Sequence, residues 1–417
     1  GPKRQALALV MSTAVEVLRN PVARHHLGGM AVNALGGSVF DIAIAVLVLQ
    51  QTGSVMAMGS IVIMESIPTI FPGILIGAVV DRNAPRRMIG VGYGGQAIIV
   101  GLTAVALLLT GTTSLIVIAA LVFIRMSFDM FARAGTFAAV PSMYGELSPS
   151  FNSLFRLTWT SISIVGPVAG GILAATISPV WLIAADALSF AVMWAVMMRL
   201  PLPRQPLGGD ENVPLLAAIA GSAKAFRQLR GSNRFLWAVI LDEIALAPAL
   251  PVALFAISAV YHKGSAEIGL ANAALGVGLV LGSAAITVFV SRDTRKLMLG
   301  SAAVSSIGLI AMLIPDWRTT SLGLLAIYAG GIASAVASSN LLQKVMPESE
   351  LGKVLTTMMA IETIFGAMSI FLISALVSHV SLTAGYFAMI AAAIASIVAL
   401  TWLGSERWME KAIDPLA

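Results

Sequence analysis

The chain has 417 residues, of which 58% are apolar and only 11% are charged. An ordinary soluble domain carries about 25% charged residues, so the composition excludes a soluble globular protein and indicates a polytopic membrane protein. The same composition argues against a disordered, collagen-like or nucleic-acid-binding chain, despite a net charge of +5.

Apolar runs predict the membrane spans, because a helix needs about 20 mostly apolar residues to cross the hydrocarbon core. The first segment, 5–19, is predicted to be an amphipathic surface helix. Twelve spans follow, near 27–50, 56–80, 88–110, 114–140, 152–176, 180–199, 235–260, 266–290, 297–314, 320–343, 353–378 and 382–404. The predicted fold class is therefore an all-α polytopic protein with twelve transmembrane helices and both termini on one side.

Lysine and arginine decide the orientation, because cytoplasmic loops carry an excess of these residues. Almost all of them fall in loops on the side of the two termini. Lys263 and Arg318 fall on the opposite side, and Arg125 lies in the middle of a span. This distribution predicts that both termini are cytoplasmic.

The longest polar stretch, 200–234, divides the chain into two halves. We predict an N-terminal tail with a surface helix (1–24), a six-helix bundle (25–199), a cytoplasmic linker (200–234), a second six-helix bundle (235–404) and a cytoplasmic tail (405–417). The junction after span two, 78–88, is similar to the junction after span eight, 288–297. Two parallel repeats around a central cavity are a transporter architecture.

Two motifs carry a resemblance to a known family. Residues 77–82, Gly-Ala-Val-Val-Asp-Arg, followed by two arginines at 86–87, resemble the Gly-x-x-x-Asp-Arg-x-Gly-Arg-Arg loop of the major facilitator superfamily. Here Ala-Pro at 84–85 replaces the loop glycine. Residues 166–171, Gly-Pro-Val-Ala-Gly-Gly, resemble the core of its antiporter motif. The whole chain is most similar to the exporter branch that contains macrolide and multidrug efflux pumps and enterobactin-type siderophore exporters.

This resemblance implies the major facilitator fold, with two pseudo-symmetric six-helix bundles. It implies a proton-coupled antiporter that exports an amphipathic small molecule, a drug or a siderophore, by alternating access across a bacterial inner membrane. The expected partners are the lipid bilayer, protons and a small-molecule substrate, with no nucleic acid, and the expected state is a monomer. No enzyme activity and no cofactor are expected.

The resemblance also assigns a gate, because the loop after span two latches the cytoplasmic face shut in this family. The residues that match it, with one arginine nearby on span four, are Gly77, Asp81, Arg82, Arg86, Arg87 and Arg133. Asp81 can accept charge-assisted hydrogen bonds from Arg86 or Arg87. Alternatively, the arginines are only positive-inside anchors.

Span five offers a second gating element. Gly166 and Gly170 form a Gly-x-x-x-Gly step that lets helix backbones approach closely, and Pro167 adds a kink. Because spans five and eight meet across the two halves in this superfamily, this face is expected to slide during gating. Ordinary close packing is the alternative.

Charges within the spans mark the predicted substrate site, since each costs about 3 kcal/mol to insert. Arg125, Asp129 and Arg133 are spaced four apart and share one helical face. If Asp129 pairs with Arg133, then Arg125 is left for an anionic substrate or for Asp41; a self-satisfied triad is the alternative. Asp186, near the outer end of span six, is expected to be a structural cap. The predicted substrate-binding residues are Asn33, Asp41, Glu65, Arg125 and Asp129.

The second half contains acids without a nearby cation. Asp242 and Glu243 lie in span seven and Glu362 in span eleven, with no lysine or arginine at mid-membrane. An apolar site favours the neutral form of an unpaired carboxylate, as a proton carrier requires, so these residues and Asp41 are the predicted proton-coupling sites. Neighbouring helix positions point about 100° apart, so Asp242 and Glu243 are not expected to face one spot. Pairing with an arginine of the preceding linker is the alternative.

Other chemistry is limited by what the sequence lacks. No cysteine occurs, which excludes disulfides and thiolate sites. The histidines, His25, His26, His262 and His379, fall at predicted helix ends or loops, so no metal site is predicted. No P-loop for ATP is present. A drug pump and a siderophore exporter remain open, as do a lipid or lysolipid flippase of the same fold and, from another class, a membrane-embedded enzyme or non-transporting sensor.

Overall fold

The computed structural model describes residues 15–110, 114–205, 233–289, 294–345 and 348–402. The side chains it describes exclude those of residues 69–82, 233–234, 287–289, 344–345, 348–353 and 356. Most of the predicted N-terminal tail and linker, and the whole C-terminal tail, lie outside the described residues.

All regular structure in the described ranges is helical. The helices are α1 (Pro21–Thr52), α2 (Val55–Arg82), α3 (Pro85–Thr110), α4 (Leu115–Tyr144), α5 (Ser148–Thr176), α6 (Pro179–Arg199), α7 (Asn233–Leu246), α8 (Ala249–Phe255), α9 (Ser265–Phe289), α10 (Thr294–Ala311), α11 (Trp317–Val345), α12 (Glu348–His379) and α13 (Leu382–Trp402). Several begin where the sequence supplies a start signal. Ser114 caps α4 by accepting from the N–H of Val117, and Pro179 occupies the first turn of α6, where its missing N–H costs nothing.

Nine helical stretches in the described chain are long and apolar enough to cross a membrane. One of them, Leu115–Thr176, contains both α4 and α5, and the apolar stretch described in α2, Val55–Pro68, is shorter. Helix α10 is not among the nine; its sequence includes two basic residues and three serines. The prediction of a helical multi-pass membrane protein is therefore confirmed, whereas the number of twelve spans stays a prediction.

The seventh predicted span, 235–260, is not one continuous helix. Helix α7 ends at Leu246, and α8 begins at Ala249 with Pro248 as its N-cap. The proline has no N–H and its ring crowds the preceding turn, which ends a regular helix. A π-helical turn, Ala256–Val260, then continues α8. The predicted acids of this span therefore lie in the last turns of α7, next to the break.

Contacts divide the chain into two compact units. The first unit is Gly1–Ile44 with Phe71–Val213, and the second is Ala45–Ile70 with Pro214–Ala417. In the first unit α3 packs against α4 and α6; in the second, α11 packs against α9 and α10, and α7 packs against α12 and α13.

The two units differ from the predicted bundles at one place. The sequence prediction groups residues 45–70 with the first half, whereas the contacts group them with the second unit. The reason is local: Gly59 of α2 lies directly against Ile370 and Ser374 of α12, both in the second unit. The division at the linker, 200–234, stays a prediction.

Candidate functional site

Arg125 of α4 lies between two carboxylates of the first unit. Its Nη1 is 3.5 Å from Oδ1 of Asp41 in α1, and its Nε is 3.6 Å from Oδ2 of Asp186 in α6. Its guanidinium carbon lies 4.2 Å from the ring centroid of Phe40 and 5.5 Å from that of Phe190, within the range of cation–π attraction. We call Arg125, Asp41 and Asp186 the Arg125 cluster.

The members of the Arg125 cluster differ in exposure. The side chain of Arg125 is 9% exposed and that of Asp186 is 0% exposed, whereas that of Asp41 is 54% exposed. A buried charge is tolerated when it is paired, so Arg125 and Asp186 suit a role in joining α1, α4 and α6. Asp41 is the member with a face open to another molecule.

The expectation for Asp186 is wrong. Its position near the outer end of span six predicts a structural cap, whereas Asp186 is fully buried and pairs with Arg125. The Ser189 hydroxyl also donates to the Asp186 backbone carbonyl at 2.8 Å and lies 3.2 Å from its Oδ1. A signal was available in the sequence, because an arginine within an apolar span requires compensating acids and Asp186 is the acid of α6.

Asp129 and Arg133 form a separate ion pair one turn further along α4. This pairing is the first of the two predicted alternatives, in which Arg125 is left for Asp41. The guanidinium carbon of Arg133 also lies 5.5 Å from the ring centroid of Trp159 in α5. The side chain of Arg133 is 49% exposed, so we expect its pair with Asp129 to contribute little to stability.

Two other predicted substrate residues, Asn33 and Glu65, have surroundings of their own. Asn33 lies two turns before Asp41 on α1, and its buried Oδ1 accepts no hydrogen bond from any residue that the structure describes. Glu65 lies half-buried on α2 in the second unit and has an interaction partner of its own. The structure thus brings Asp41 and Arg125 together, places Asn33 two turns away on α1, and places Glu65 in the second unit.

The three predicted acids of the second half line one cavity. This cavity of about 280 Å³ lies among α7, α9, α11 and α12, and it is lined by Asp242, Glu243 and Glu362 together with Tyr328 and Ser334. Among its described lining residues there is no lysine, arginine or histidine. We call it the acid cavity.

Asp242 and Glu243 both belong to α7, but they have different neighbours in the acid cavity. Asp242 is hydrogen-bonded with Ser334 of α11. Glu243 points towards α12, where a methyl group added at Gly366 would lie 2.7 Å from its Oε1. The nearest neighbours of the two acids differ, as the prediction that they do not face one spot requires. The cavity as a whole contradicts that prediction, because both side chains line it.

The predicted latch is described in part. Arg86 donates from Nη2 to the carbonyl of Met198 at the end of α6, at 2.8 Å, and its backbone N–H donates to Pro203 at 3.2 Å. Arg87 lies near Asn83, with 3.5 Å between Nη1 and Oδ1. The latch residues whose side chains lie outside the described part are Gly77, Asp81 and Arg82. Pairing of Asp81 with either arginine stays a prediction.

The small-residue face of α5 is covered by α1 of the same unit. A methyl group at Gly166 would lie 2.5 Å from Cβ of Ser38, and one at Gly170 would lie 3.2 Å from Cγ1 of Ile42. Pro167 is buried beside them. This arrangement is the close packing given as the alternative to a sliding interface, and a role in gating stays a prediction.

His26 departs from the expectation that the histidines lie at helix ends or in loops. It is fully buried within α1, where its Nδ1 and the Tyr144 hydroxyl are hydrogen-bonded at 2.8 Å and its ring lies 5.0 Å from that of Phe151. Sequence spacing gave no signal for this contact, because Tyr144 is far away in the chain. No group of His, Asp or Glu side chains suited to a metal ion occurs among the described residues.

The sequence of the chain is similar to those of known transport proteins. No protein-family model matches the chain. The enterobactin exporter EntS of Salmonella typhimurium is 28% identical over 328 residues, which cover 76% of this chain and 76% of the exporter. The multidrug efflux pump Tap of Mycobacterium tuberculosis is 26% identical over 290 residues, which cover 67% of this chain and 68% of the pump.

Solved transporters share the fold. The nucleoside transporter NupG superposes with a TM-score of 0.71 at 14% identity and covers 94% of this chain and 100% of its own. A bacterial homologue of the iron transporter ferroportin in its inward-facing state superposes with a TM-score of 0.70 at 15% identity, covering 92% and 99%. The chain therefore has a transporter fold, and the predicted resemblance to major facilitator exporters is confirmed. Because these relatives are all transporters, the prediction that the chain is not an enzyme is also confirmed.

Proposed function

We propose that this protein is a proton-coupled exporter of amphipathic small molecules. It works by alternating access as a monomer in a bacterial inner membrane, with twelve spans and both termini in the cytoplasm, and the loop containing Asp81 latches its cytoplasmic face. Export is supported by the similarity to EntS and Tap, whose names describe an exporter and an efflux pump.

The observation that carries proton coupling is the acid cavity. Asp242, Glu243 and Glu362 share a space of about 280 Å³ whose described lining contains no cationic side chain. Holding several negative charges together in a partly apolar space is costly. Proton binding or a cationic cargo relieves that cost, and a carrier needs these two outcomes to compete for the same group.

The charge distribution favours a cationic, amphipathic cargo. Arg125 faces Asp41 and Asp186 at ion-pair distance, so it is poorly placed to attract an anionic group. The acid cavity offers carboxylates beside apolar side chains such as Val239, Leu279 and Ile327. Such a lining fits a molecule with one positive charge and a hydrophobic body.

A siderophore is the second candidate cargo. It is favoured by the similarity to EntS, an enterobactin exporter, over 76% of both chains. An anionic chelator would need a cation that the described acid cavity does not supply. The two cargo classes therefore make opposite demands on charge and can be separated by experiment.

Transport in liposomes tests this proposal. The purified protein is reconstituted with a pH-sensitive dye inside, a proton gradient is imposed, and its dissipation is recorded after addition of cationic dyes, macrolides or siderophores. Protein-free liposomes correct for amines that cross the bilayer unaided. We expect cationic amphiphiles to accelerate proton efflux.

Two outcomes would count against the proposal in different ways. Acceleration by siderophores alone would replace the drug by the siderophore as cargo. Movement of radiolabelled cargo that is independent of the gradient, and that moves no protons, would contradict proton coupling altogether.

A further inference from the structure

A second cavity has a lining opposite in charge to the acid cavity. It has a volume of about 440 Å³ and lies in the first unit, where α3 begins and α6 ends. Arg86, Arg87 and Arg204 line it, together with Trp194 and Met198. None of its described lining residues is acidic. We call it the arginine pocket.

The arginines create an excess of positive charge. Three cations around one cavity repel one another unless an anion lies between them. The carbonyl of Met198 accepts a hydrogen bond from Arg86 at 2.8 Å, but a carbonyl supplies only a partial negative charge. The side chains of Arg87 and Arg204 are more exposed. The pocket is therefore built to attract an anion.

The wall beside the arginines is apolar. Trp194 is 43% exposed and Val91 is 46% exposed, and both border the pocket. The indole of Trp194 lies over α3, so that a methyl group added at Gly94 would be 3.2 Å from its Nε1. Helices α3 and α6 are both long and apolar enough to span a membrane, and tryptophan is enriched where such helices leave the hydrocarbon. An apolar surface thus runs from the arginines towards the membrane interior.

We propose that the arginine pocket binds an anionic phospholipid. The phosphate lies between Arg87 and Arg204, and an acyl chain packs along Val91 and Trp194. Basic pockets at the ends of transmembrane helices bind anionic head groups in this manner. The proposal does not depend on the export function, because the ligand is a bilayer lipid and the test measures its binding. The pocket shares Arg86 and Arg87 with the predicted latch and is distinct from the acid cavity and from the Arg125 cluster.

The lipid also has a structural consequence. Arg86 already joins the start of α3 to the end of α6 through Met198. A phosphate held by Arg87 and Arg204 adds a second link between the same two ends, since Arg204 lies in the segment that follows α6. Bound lipid is therefore expected to raise the unfolding temperature, by mass action on the folded state.

Native mass spectrometry of the purified full chain tests the proposal. The protein is titrated with phosphatidylglycerol or with phosphatidylcholine of the same acyl chains. We expect tighter binding of phosphatidylglycerol and about 25-fold weaker binding in the R87Q/R204Q variant, because each arginine near the surface contributes about 1 kcal/mol, or about fivefold. The matched control is R24Q/R156Q, which removes two exposed arginines of the same unit and should bind phosphatidylglycerol as the unmodified protein does.

Further variants show whether a loss of lipid binding results from misfolding. Arg204→Gln lies outside the helices and alone should weaken binding about fivefold, while R87K/R204K keeps the charge and should retain most of the affinity. Equal binding of the two lipids, or unchanged binding in R87Q/R204Q, would overturn the proposal. Displacement of phosphatidylglycerol by millimolar inorganic phosphate would overturn it too, since the pocket would then be a site for free phosphate.

Discussion

The two units differ in whether the charged side chains at their candidate sites are paired with an opposite charge. In the first unit Arg125 lies within 3.6 Å of the carboxylates of both Asp41 and Asp186, and a second arginine on α4 pairs with its own acid. In the second unit three acids share one cavity whose described lining holds no cation. The charges around Arg125 are therefore paired, whereas the acids of the acid cavity have no cation among its described lining residues.

This difference corresponds to two roles that a charged residue can have within a membrane span. A paired buried charge holds helices in one arrangement, and removal of one partner leaves the other uncompensated. Acids without a nearby cation are neutralised by binding either a proton or a cationic cargo. Their charge therefore changes with pH and with cargo concentration. We therefore expect mutations in the first unit to act on stability and those in the second to act on transport.

The largest expected effect is on transport, in the acid cavity. Asp242→Asn, Glu243→Gln and Glu362→Gln each remove a titratable group while keeping nearly the same shape. We expect the Glu243 variant to lower gradient-driven flux at least about 100-fold, as expected for loss of an essential proton-transfer group. Thermal unfolding should change little, because a neutral amide is cheaper to bury than a charge.

The control for this comparison is Glu267→Gln, which removes a partly exposed acid of the same unit, in the first turn of α9 and outside the acid cavity. It should transport normally. If all three cavity variants keep full gradient-driven flux in liposomes, the proton-carrier assignment is wrong and the contrast between the units has no functional meaning.

The next effect is on stability, in the Arg125 cluster. Asp186→Ala leaves Arg125 with one fewer partner in a site where Asp186 is fully buried. We expect the free energy of unfolding to fall by about 3–5 kcal/mol, measured by denaturation in mixed detergent micelles. Asp41→Ala should cost less than Asp186→Ala, because the Asp41 side chain is 54% exposed and Arg125 keeps Asp186 as a partner. Equal losses in the two variants would show that burial does not distinguish the two carboxylates.

The smallest expected effect on transport and stability is at Gly366 of α12, which packs against Glu243. An alanine at Gly366 would place its methyl group 2.7 Å from Oε1 of Glu243, so the carboxylate must move. We expect Gly366→Ala to slow transport roughly tenfold and to cost about 1 kcal/mol of stability. Gly300→Ala is the matched control, since a methyl group there would meet nothing within 4 Å. Unchanged flux in Gly366→Ala would show that the position of Glu243 is not critical.

The fold class followed from the sequence because hydropathy acts over whole segments. Each predicted span overlaps a helix of the structure, except that Pro248 divides the seventh into α7 and α8. The sequence shows that Pro248 interrupts the span, but the size of the break depends on which neighbouring groups donate hydrogen bonds to the freed carbonyls. The grouping of residues 45–70 with the second unit depends on contacts with α12, which local patterns do not encode.

The candidate site was predictable in its residue types and less so in its partners. Asp242, Glu243 and Glu362 stood out as acids in apolar segments, and all three line one cavity. The partnership of Arg125 with Asp186 was missed, because depth along a span does not reveal which face a residue occupies. The contact between His26 and Tyr144 and the arginine pocket both depend on helix packing, which no spacing in the sequence specifies.

The three residues of the Arg125 cluster are synthesised at different times. Membrane helices are made from the N-terminus onward, and segments made early can associate before the rest exists. Asp41, 84 positions before Arg125, is already present when α4 emerges from the ribosome, whereas Asp186 is made later. Until α6 arrives, Asp41 is the carboxylate of this cluster that can neutralise Arg125. Asp41, whose contribution to the stability of the finished protein is expected to be small, is therefore expected to contribute more during synthesis.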